Sequence, residues 1–521
     1  MRFLSHMIAQ AGGRRGMSAP HSSDLTSVVA VALLIMMTVA GSDASILKLV
    51  HRYSNRKGSS KEGGRKGGMS EEHWQVLLRH DKLRHRHSPI NAVNFPLEGS
   101  YDPTVAGLYY TKIDLGTPLK SYLVQVDTGS DVMWVNCKPC TGCPQKNAFG
   151  GPMNIYDPKK SSTMSMVGCS DKLCAIGEQA QEAFCTLNKT CGYSFQYGDG
   201  TITQGQYLRD ELKYTQLDGN NSRENTTMNI IFGCSFSQSG SLANEETIVD
   251  GLIGFGQLDL SIPSQLAAQG KTPRKFAHCL EGEAGGGGIL VVGEVAASGL
   301  KYTPIVPNLN HYNVNLRSLA VNGVILSIDA SLFTSGPDSG VIFDSGTTFT
   351  YLPQRVYDVF VKAIIEASTA QHILSQQDIC FVVTNSLDAS FPYVSLNFKV
   401  ASMQLKPRHY LLQKSNIQSN IPLWCMGWMP SSSIDDTKTT SKLTILGDLV
   451  LKDQLIIYDL EKQRIGWVDY NCSSGVKVIT SHGKRLPVEP SNIYINMGNI
   501  VSSNNTPIVI MLLLIFICTL Y

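Results

Sequence analysis

Charged residues are scarce in this chain of 521 residues, and their signs nearly balance. Asp, Glu, Lys and Arg together make up 17% of the sequence, and the formal net charge is +2. Hydrophobic residues make up 43%, which is ample for large buried cores in a chain of this length. The composition therefore indicates a globular protein.

The sequence also lacks an apolar run long enough for a comfortable membrane-spanning helix. The run at 28–40 is short and is followed by small residues suited to cleavage, so we assign 1–44 to a secretory signal peptide, with a signal anchor as the alternative. The run at 508–521 follows small residues and a polar spacer, which is typical of a GPI-attachment signal, with a short tail anchor as the alternative. We therefore expect a protein of the secretory pathway that a lipid anchor holds at the extracellular face of the plasma membrane.

Histidine clusters are absent beside the cysteines, although cysteine itself is frequent. Twelve of the thirteen cysteines, an even number, precede the C-terminal tail: Cys137, Cys140, Cys143, Cys169, Cys174, Cys185, Cys191, Cys234, Cys279, Cys380, Cys425 and Cys472. In a secreted chain they favour disulfides, with a zinc site at 137–143 as the alternative. The seven at 137–191 cannot all pair with one another, and Cys234 is a candidate partner for one of them. We expect no metal and no cofactor.

Four sequons agree with passage through the secretory pathway, and their asparagines are Asn188, Asn220, Asn225 and Asn471.

The clearest pattern in the chain is a short motif that occurs twice. An apolar, strand-like run ends at Asp127 and turns at Gly129, and the same order recurs at Asp344 and Gly346. Asp and Gly alone mark any tight turn, but repetition of the whole pattern indicates a pair of acids. Hydroxyl residues that can orient the acids flank both of them: Thr128, Ser130, Ser345 and Thr347.

A pair of adjacent carboxylates explains these residue types. Two such groups within hydrogen-bond distance share a proton, because both cannot ionise cheaply. The ionised member can take a proton from a water molecule while the protonated member donates to a substrate carbonyl, and the pair titrates as a unit. The repeated motif therefore predicts Asp127 and Asp344 as the catalytic acids of a hydrolase that needs neither a metal nor a covalent intermediate.

At these residues the chain resembles the pepsin-like aspartic proteases, and its cysteine usage is similar to that of the plant nepenthesin-type branch. The resemblance covers about 105–472. Beside the two acid motifs it includes a tryptophan, the tip of a flap hairpin and two apolar-apolar-Gly segments: Trp134, Tyr197 with Gly198, Gly254 and Gly447. It implies that the flap tyrosine closes over a peptide or protein substrate and that the tryptophan supports it.

The resemblance also implies the architecture. We expect an all-β dominated, bilobal fold with a few short helices and an active-site cleft between the lobes, in a protein that is monomeric. The N-terminal lobe, with the cysteine-rich insertion and the flap, should span 105–305 and the C-terminal lobe 306–472, followed by the polar spacer and tail at 473–521. In the second lobe the resemblance implies pairing of Cys380 with Cys425.

Residues 45–104 form a leader that the resemblance identifies as a propeptide. Residues 45–90 contain eleven Lys and Arg against four Asp and Glu, whereas 105–472 carry a net charge of −6. We therefore expect the leader to cover the acid pair until activation. A nucleic-acid-binding arm is the alternative, and the preceding signal peptide argues against it, so no nucleic-acid partner is expected.

Two functions compete with an aspartic endopeptidase. The first is a non-catalytic, inhibitor-like binding protein on the same fold, against which the retention of both acids argues. The second is a cysteine-rich extracellular interaction protein, which would explain the disulfides and the tail but not the repeated acid motif.

Overall fold

The computed structural model describes residues 91–490, apart from gaps at 101–107, 147–150, 180–182, 199, 218–222, 244–248, 283–285, 337–338, 376–377, 415–422, 434–441 and 481–482. The predicted signal peptide, most of the predicted leader, Asn220 and the apolar tail lie outside the described residues.

Strands make up most of the described chain. In β3, Tyr122, Val124 and Val126 are buried while the residues between them are partly exposed, which is the period of two expected of a strand with one covered face. The strands of the first part are β1 Ala92–Ser100, β2 Leu108–Leu115, β3 Lys120–Asp127, β4 Trp134–Thr141, β5 Ser165–Met166, β6 Ala183–Cys185, β7 Cys191–Gln196, β8 Ile202–Leu217, β9 Arg223–Ser239, β10 Gly251–Gly254, β11 Lys275–Leu280, β12 Gly288–Val292, β13 Glu294–Ala296 and β14 Lys301–Pro304.

The second part is built in the same way. Its strands are β15 Asn313–Val314, β16 Leu316–Val321, β17 Val324–Ile325, β18 Ser339–Phe343, β19 Thr350–Leu352, β20 Gln371–Ser375, β21 Asp378–Val382, β22 Val394–Phe398, β23 Ser402–Leu405, β24 Leu411–Lys414, β25 Leu423–Met426, β26 Trp428–Pro430, β27 Lys442–Leu446, β28 Gln454–Asp459, β29 Arg464–Asp469, β30 Val476–Ile479 and β31 Arg485–Val488.

Helices are few and short in the described part of the chain. The α-helices are α1 Lys172–Gln179, α2 Ile262–Ala268, α3 Gln354–Ala367, α4 Leu387–Ser390 and α5 Asp448–Leu451, and the 3-10 helices are Pro158–Lys160, Gly240–Ala243, Ala330–Phe333, Pro407–His409 and Ser431–Ser433. In α3, Val356, Phe360 and Ile364 recur every four residues and are buried, which covers one helical face. Phe360 stacks on Trp428 with ring centroids 4.5 Å apart.

The two lobes share one sheet. Its strand order over the described residues is β14-β29-β28-β11-β12-β1-β2-β3-β10-β4-β9-β8-β7-β6, and β5 also pairs with β8. The late strands β28 and β29 thus lie beside β11 and β14 of the first lobe, where Phe276 stacks on Tyr458 at 4.3 Å between ring centroids. The second lobe adds the sheets β15-β18-β27-β19-β26, β17-β16-β22-β23 and β20-β21-β25-β24. The predicted all-β dominated, bilobal fold is confirmed.

Both outer limits that we expected for the lobes differ from the structure. Residues 92–100, which we assigned to the leader, form β1, a strand between β12 and β2 in which Val93 and Leu97 are fully buried. Beyond Cys472, β30 and β31 form a hairpin that pairs with β13. Apolar side chains of both segments pack into buried clusters, so both segments belong to the folded body.

Six disulfides join the twelve cysteines within the described residues. The pairs are Cys137–Cys234, Cys140–Cys143, Cys169–Cys185, Cys174–Cys191, Cys279–Cys472 and Cys380–Cys425. Three of the pairs lie inside the cysteine-rich segment, and its remaining cysteine, Cys137, reaches Cys234. No group of three His, Cys, Asp or Glu is arranged to hold a metal ion in the part of the chain that the structure describes.

Candidate active site

Each of the two acids lies at the end of a central strand that runs parallel to an apolar-apolar-Gly segment. Strand β3 ends at Asp127, and Gly254 of β10 lies opposite this residue. In the second lobe β18 leads to Asp344, whose amide donates to the carbonyl of Leu446 at the end of β27. The same supersecondary unit therefore presents each acid, which explains why the sequence motifs recur in the same order.

Each acid is held by its own loop in the same way. The amide of Gly129 donates to Asp127 Oδ1 at 2.7 Å, and the hydroxyl of Ser130 donates to Asp127 Oδ2. In the second loop the amide of Gly346 donates to Asp344 Oδ1 at 2.8 Å, and the hydroxyl of Thr347 donates to Oδ2 at 2.7 Å. Both carboxyls are thus fixed through both of their oxygens.

The glycine of each loop lies directly against the carboxyl group of the other loop. A Cβ atom placed on Gly129 would lie 2.5 Å from Asp344 Oδ1, and one placed on Gly346 would overlap Asp127 Oδ1. These overlaps mean that the two carboxyls approach each other only because neither position carries a side chain. The structure therefore brings together the two residues that the sequence motif predicts.

Hydroxyl residues between the acids and the glycines bind the loops to each other. Thr128 Oγ1 accepts from the amide of Ser345 at 2.9 Å and donates to the carbonyl of Phe343 at 3.4 Å. Ser345 Oγ donates to the carbonyl of Val126 at 3.2 Å. Thr128 and Ser345 are fully buried, so they hold the two loops from the interior of the protein and cannot contact a bound molecule.

Burial and mutual repulsion shape the electrostatics of the pair. Burial raises the pKa of Asp127 well above its ordinary value, and the charge of Asp344 raises it further, whereas the bonds from Ser130 and Gly129 lower it. Since a carboxyl with a raised pKa keeps its proton to higher pH, the pair retains a shared proton over a wider pH range than two separate carboxyls would.

The predicted flap forms the hairpin of β7 and β8. Its strands pair up to Gln196 and Ile202, and the amide of Tyr197 donates to the carbonyl of Thr201 at 2.8 Å. The indole N–H of the buried Trp134 donates to the Tyr197 hydroxyl at 2.6 Å. The two aromatic residues that we expected to act together are in contact, and Gly198 is exposed at the tip.

Sequence reasoning gave no role to a third acid near the pair. Asp448 begins α5, directly after Gly447, and is 1% exposed. Burial raises its pKa well above the ordinary value, and the charges of Asp344 and Asp127 raise it further. The position of an acid directly after an apolar run is the feature of the sequence that could have revealed it.

Two side chains near the acid loops were also missed. Gln125 Nε2 donates to the carbonyl of Gly346 at 3.1 Å, and His311 Nδ1 lies 2.8 Å from the carbonyl of Gly129. Both contacts join residues more than 180 positions apart, so no local sequence pattern predicts them.

The predicted glycosylation sites within the described residues lie at the surface, since Asn188, Asn225 and Asn471 are exposed. Among the described helices, none has both the length and the apolar character that crossing a membrane would require.

Comparisons with known proteins agree on a family. Residues 109–294 match a family model described as the N-terminal part of a xylanase inhibitor, and 311–469 match one described as its C-terminal part. Aspartic proteinase 36 of Arabidopsis thaliana is 37% identical over 95% of this chain and 97% of its own length. Aspartic proteinase 39 of the same plant is 36% identical over 89% of this chain and 92% of its own length. The crystal structure of basic 7S globulin from soybean has the same fold, with a TM-score of 0.55 at 21% identity, over 74% of this chain and 98% of that one.

Proposed function

Since this chain belongs to the plant members of the pepsin-like aspartic protease family, we propose that it is an acid-favoured endopeptidase with Asp127 and Asp344 as its catalytic pair. The observation that supports this proposal most directly is the approach of the two buried carboxyls over side-chain-free glycines. A chain that had lost catalysis would have no need to keep both acids and both glycines.

The pair activates a water molecule held between the two carboxyls. The ionised carboxyl takes a proton from this water as it attacks the peptide carbonyl, and the protonated carboxyl donates to the carbonyl oxygen. The bonds from Gly129, Ser130, Gly346 and Thr347 keep both carboxyls oriented during this exchange. These donors are already in place when charge develops in the transition state. They therefore contribute to catalysis as well as to the orientation of the carboxyls.

Substrate binding involves the flap. Tyr197 and Gly198 close over a bound peptide, and the hydrogen bond from Trp134 fixes the tyrosine hydroxyl. The substrate is an extended peptide or protein segment, and the hydrolysis proceeds without a cofactor.

The same proposal includes the secretion, processing and membrane anchoring of the chain. Residues 1–44 direct secretion, the basic leader is a propeptide, and the C-terminal tail is exchanged for a lipid anchor at the extracellular face of the plasma membrane. Asn188, Asn220, Asn225 and Asn471 carry glycans.

Cleavage of a mixed peptide library between about pH 3 and 7 tests the proposal. Since the raised pKa of Asp127 maintains the shared proton, cleavage should be strongest in acid and should fall as the pH rises through that raised value. A transition-state analogue with a hydroxyl in place of the scissile carbonyl should inhibit it. Asp344→Asn should abolish cleavage while the circular dichroism spectrum stays unchanged, and full activity in this variant would reject the catalytic pair.

A second candidate is a non-catalytic inhibitor on the same fold. The descriptions of the two matching family models favour it, because both name a xylanase inhibitor. Adding the purified protein to a xylanase assay separates the two functions. Inhibition without any peptide cleavage across the pH range would favour the inhibitor.

A further inference from the structure

The two acid loops are each held from the opposite lobe by one polar side chain. Gln125 lies in β3 of the first lobe, and its Nε2 donates to the carbonyl of Gly346 in the second lobe at 3.1 Å. His311 lies at the start of the second lobe, and its Nδ1 is 2.8 Å from the carbonyl of Gly129 in the first. A carbonyl oxygen only accepts hydrogen bonds, so His311 carries a proton on Nδ1 whether or not the ring is charged. We call Gln125 and His311 the crossed pair.

The crossed pair acts at the residues that orient the acids. The amide of Gly129 donates to Asp127 Oδ1 and the amide of Gly346 donates to Asp344 Oδ1, while the carbonyls of the same glycines accept from the crossed pair. Each glycine is therefore anchored on both sides, by its own acid and by the opposite lobe. A displacement of one lobe would pull directly on the acid loop of the other.

Both members of the crossed pair are themselves fixed. Gln257 Nε2 donates to the carbonyl of His311 at 2.7 Å, and the hydroxyl of the adjacent Tyr312 donates to the carbonyl of Phe255 at 2.8 Å. The amide of Phe255 in turn donates to the carbonyl of Asp127 at 2.7 Å, so His311 approaches Gly129 from a segment already bound to the first acid strand.

Gln125 is fixed in a different way, because it stands in the middle of a sheet. It lies between the buried Val124 and Val126 on β3 and opposite Tyr110 of β2. Groups held on regular elements are placed more accurately than groups on free loops.

We propose that Gln125 and His311 are positioning residues that align the two carboxyls by tying each acid loop to the opposite lobe. The kinetic consequence rests on the proposed endopeptidase function, whereas the structural consequence does not. Alignment matters because a misplacement of about 1 Å in a reacting group lowers a rate about 100-fold. A side chain that merely filled space would not need a donor at these two points.

The test compares variants that lose the donor with one that keeps it. His311→Leu and Gln125→Leu remove the donor at similar volume, and His311→Asn retains an N–H that can reach the position of Nδ1. We expect each Leu variant to lower kcat about 10- to 100-fold with little change in KM. We expect His311→Asn to recover most of that loss, and wild-type kcat in both Leu variants would overturn the proposal.

Amide hydrogen exchange provides a second measurement that does not depend on activity. His311→Leu should speed exchange about tenfold in the first acid loop, 127–131, and leave the second, 344–348, unchanged. Gln125→Leu should do the reverse, and the amides of α3 should stay as in the wild type. A uniform increase in exchange over the whole protein would mean that the side chains only stabilise the fold, and would overturn the proposal.

The two measurements also separate this proposal from the proposed function. If the wild-type protein cleaves no peptide, the endopeptidase function fails, and the crossed pattern of exchange alone decides whether Gln125 and His311 position the loops. If the wild type cleaves and neither the crossed pattern nor the fall in kcat is found, the positioning role fails and the endopeptidase function stands.

Discussion

At the scale of single residues, the active-site geometry requires glycine at two positions of the acid loops as strictly as it requires the two acids. Gly129 and Gly346 each leave room for the carboxyl of the opposite loop, and a methyl group at either position would collide with it. The collision involves groups that are held by hydrogen bonds and cannot swing away, so the loops themselves would have to separate.

We predict that Gly346→Ala reduces kcat at least about 100-fold, because it forces Asp127 out of line. Gly168→Ala is the matched control, since the atoms nearest to its added methyl would lie 3.8 and 3.9 Å away, at ordinary contact distance. Peptide cleavage and thermal unfolding of both variants provide the comparison. Equal activity in the two variants would contradict the tight approach of the carboxyls.

Asp448 makes stability depend on pH. Burial raises its pKa well above the ordinary value of a carboxyl, and the charges of Asp344 and Asp127 raise it further. A group whose pKa is raised by folding contributes stability that is fully present below the unfolded-state value and is lost as the pH rises through the folded-state value. The neutral Asp448→Asn variant has no such loss.

We therefore predict that Asp448→Asn and the wild type differ little in melting temperature near pH 3. Toward pH 7 the variant should become the more stable of the two, by a few degrees. Melting curves at several pH values measure this difference. A difference that stays constant with pH would show that folding leaves the pKa of Asp448 unchanged, contrary to what its burial requires.

At the scale of the elements, β1 is one of the strands that we did not expect from the sequence, together with β30 and β31. It lies in a segment that we assigned to the leader, and its partners β2 and β12 cover both of its edges. Removing it would expose two rows of unpaired backbone groups in the middle of the shared sheet.

We predict that a chain in which residue 91 directly follows the signal peptide of 1–44 is secreted as a folded protein, and that one in which residue 105 directly follows it is not. Secretion yield and circular dichroism of the two chains distinguish them. Normal folding of the shorter chain would mean that another segment takes the place of β1.

Short local motifs predicted the fold, which is confirmed, and the approach of the two acids, whose catalytic role stays a prediction. Asp127, Asp344 and the flap tip stand in short motifs, so their position in the chain could be recognised from neighbouring residues alone. The position of β1 depends on pairing with Ile289 to Val292, about 200 residues later, and the contacts of Gln125 and His311 depend on the approach of the two lobes. The residue pattern within one segment does not predict these long-range pairings and contacts.

At the scale of the whole molecule, charge is distributed unevenly between the leader and the body. Residues 45–90 have eleven Lys and Arg against four Asp and Glu, and residues 105–472 carry a net charge of −6. If the leader covers the acid pair, as proposed, the attraction between these opposite charges is strongest in a partly desolvated cleft. Acidification weakens it, because the carboxylates of the body become protonated while the histidines of the leader become charged and repel one another.

We predict that a peptide of residues 45–90, added to the processed protein, inhibits cleavage most strongly at the highest pH at which activity is measurable. The inhibition should weaken with added salt, because salt screens the charges. A peptide with the same composition in scrambled order is the control. Equal inhibition by both peptides would point to a nonspecific charge effect, and no inhibition at any pH would reject the leader as an inhibitor.

The pairing of β28 with β11 imposes an order on biosynthesis. Ala277 faces Ile457, so 180 residues must be made after the first strand before its neighbour exists. At about 5–20 residues per second the ribosome needs roughly 9–36 s for this stretch. During that interval the edge of β11 is open to pairing with other chains. We therefore expect that the N-terminal lobe has to be kept from pairing with other chains until β28 has been synthesised.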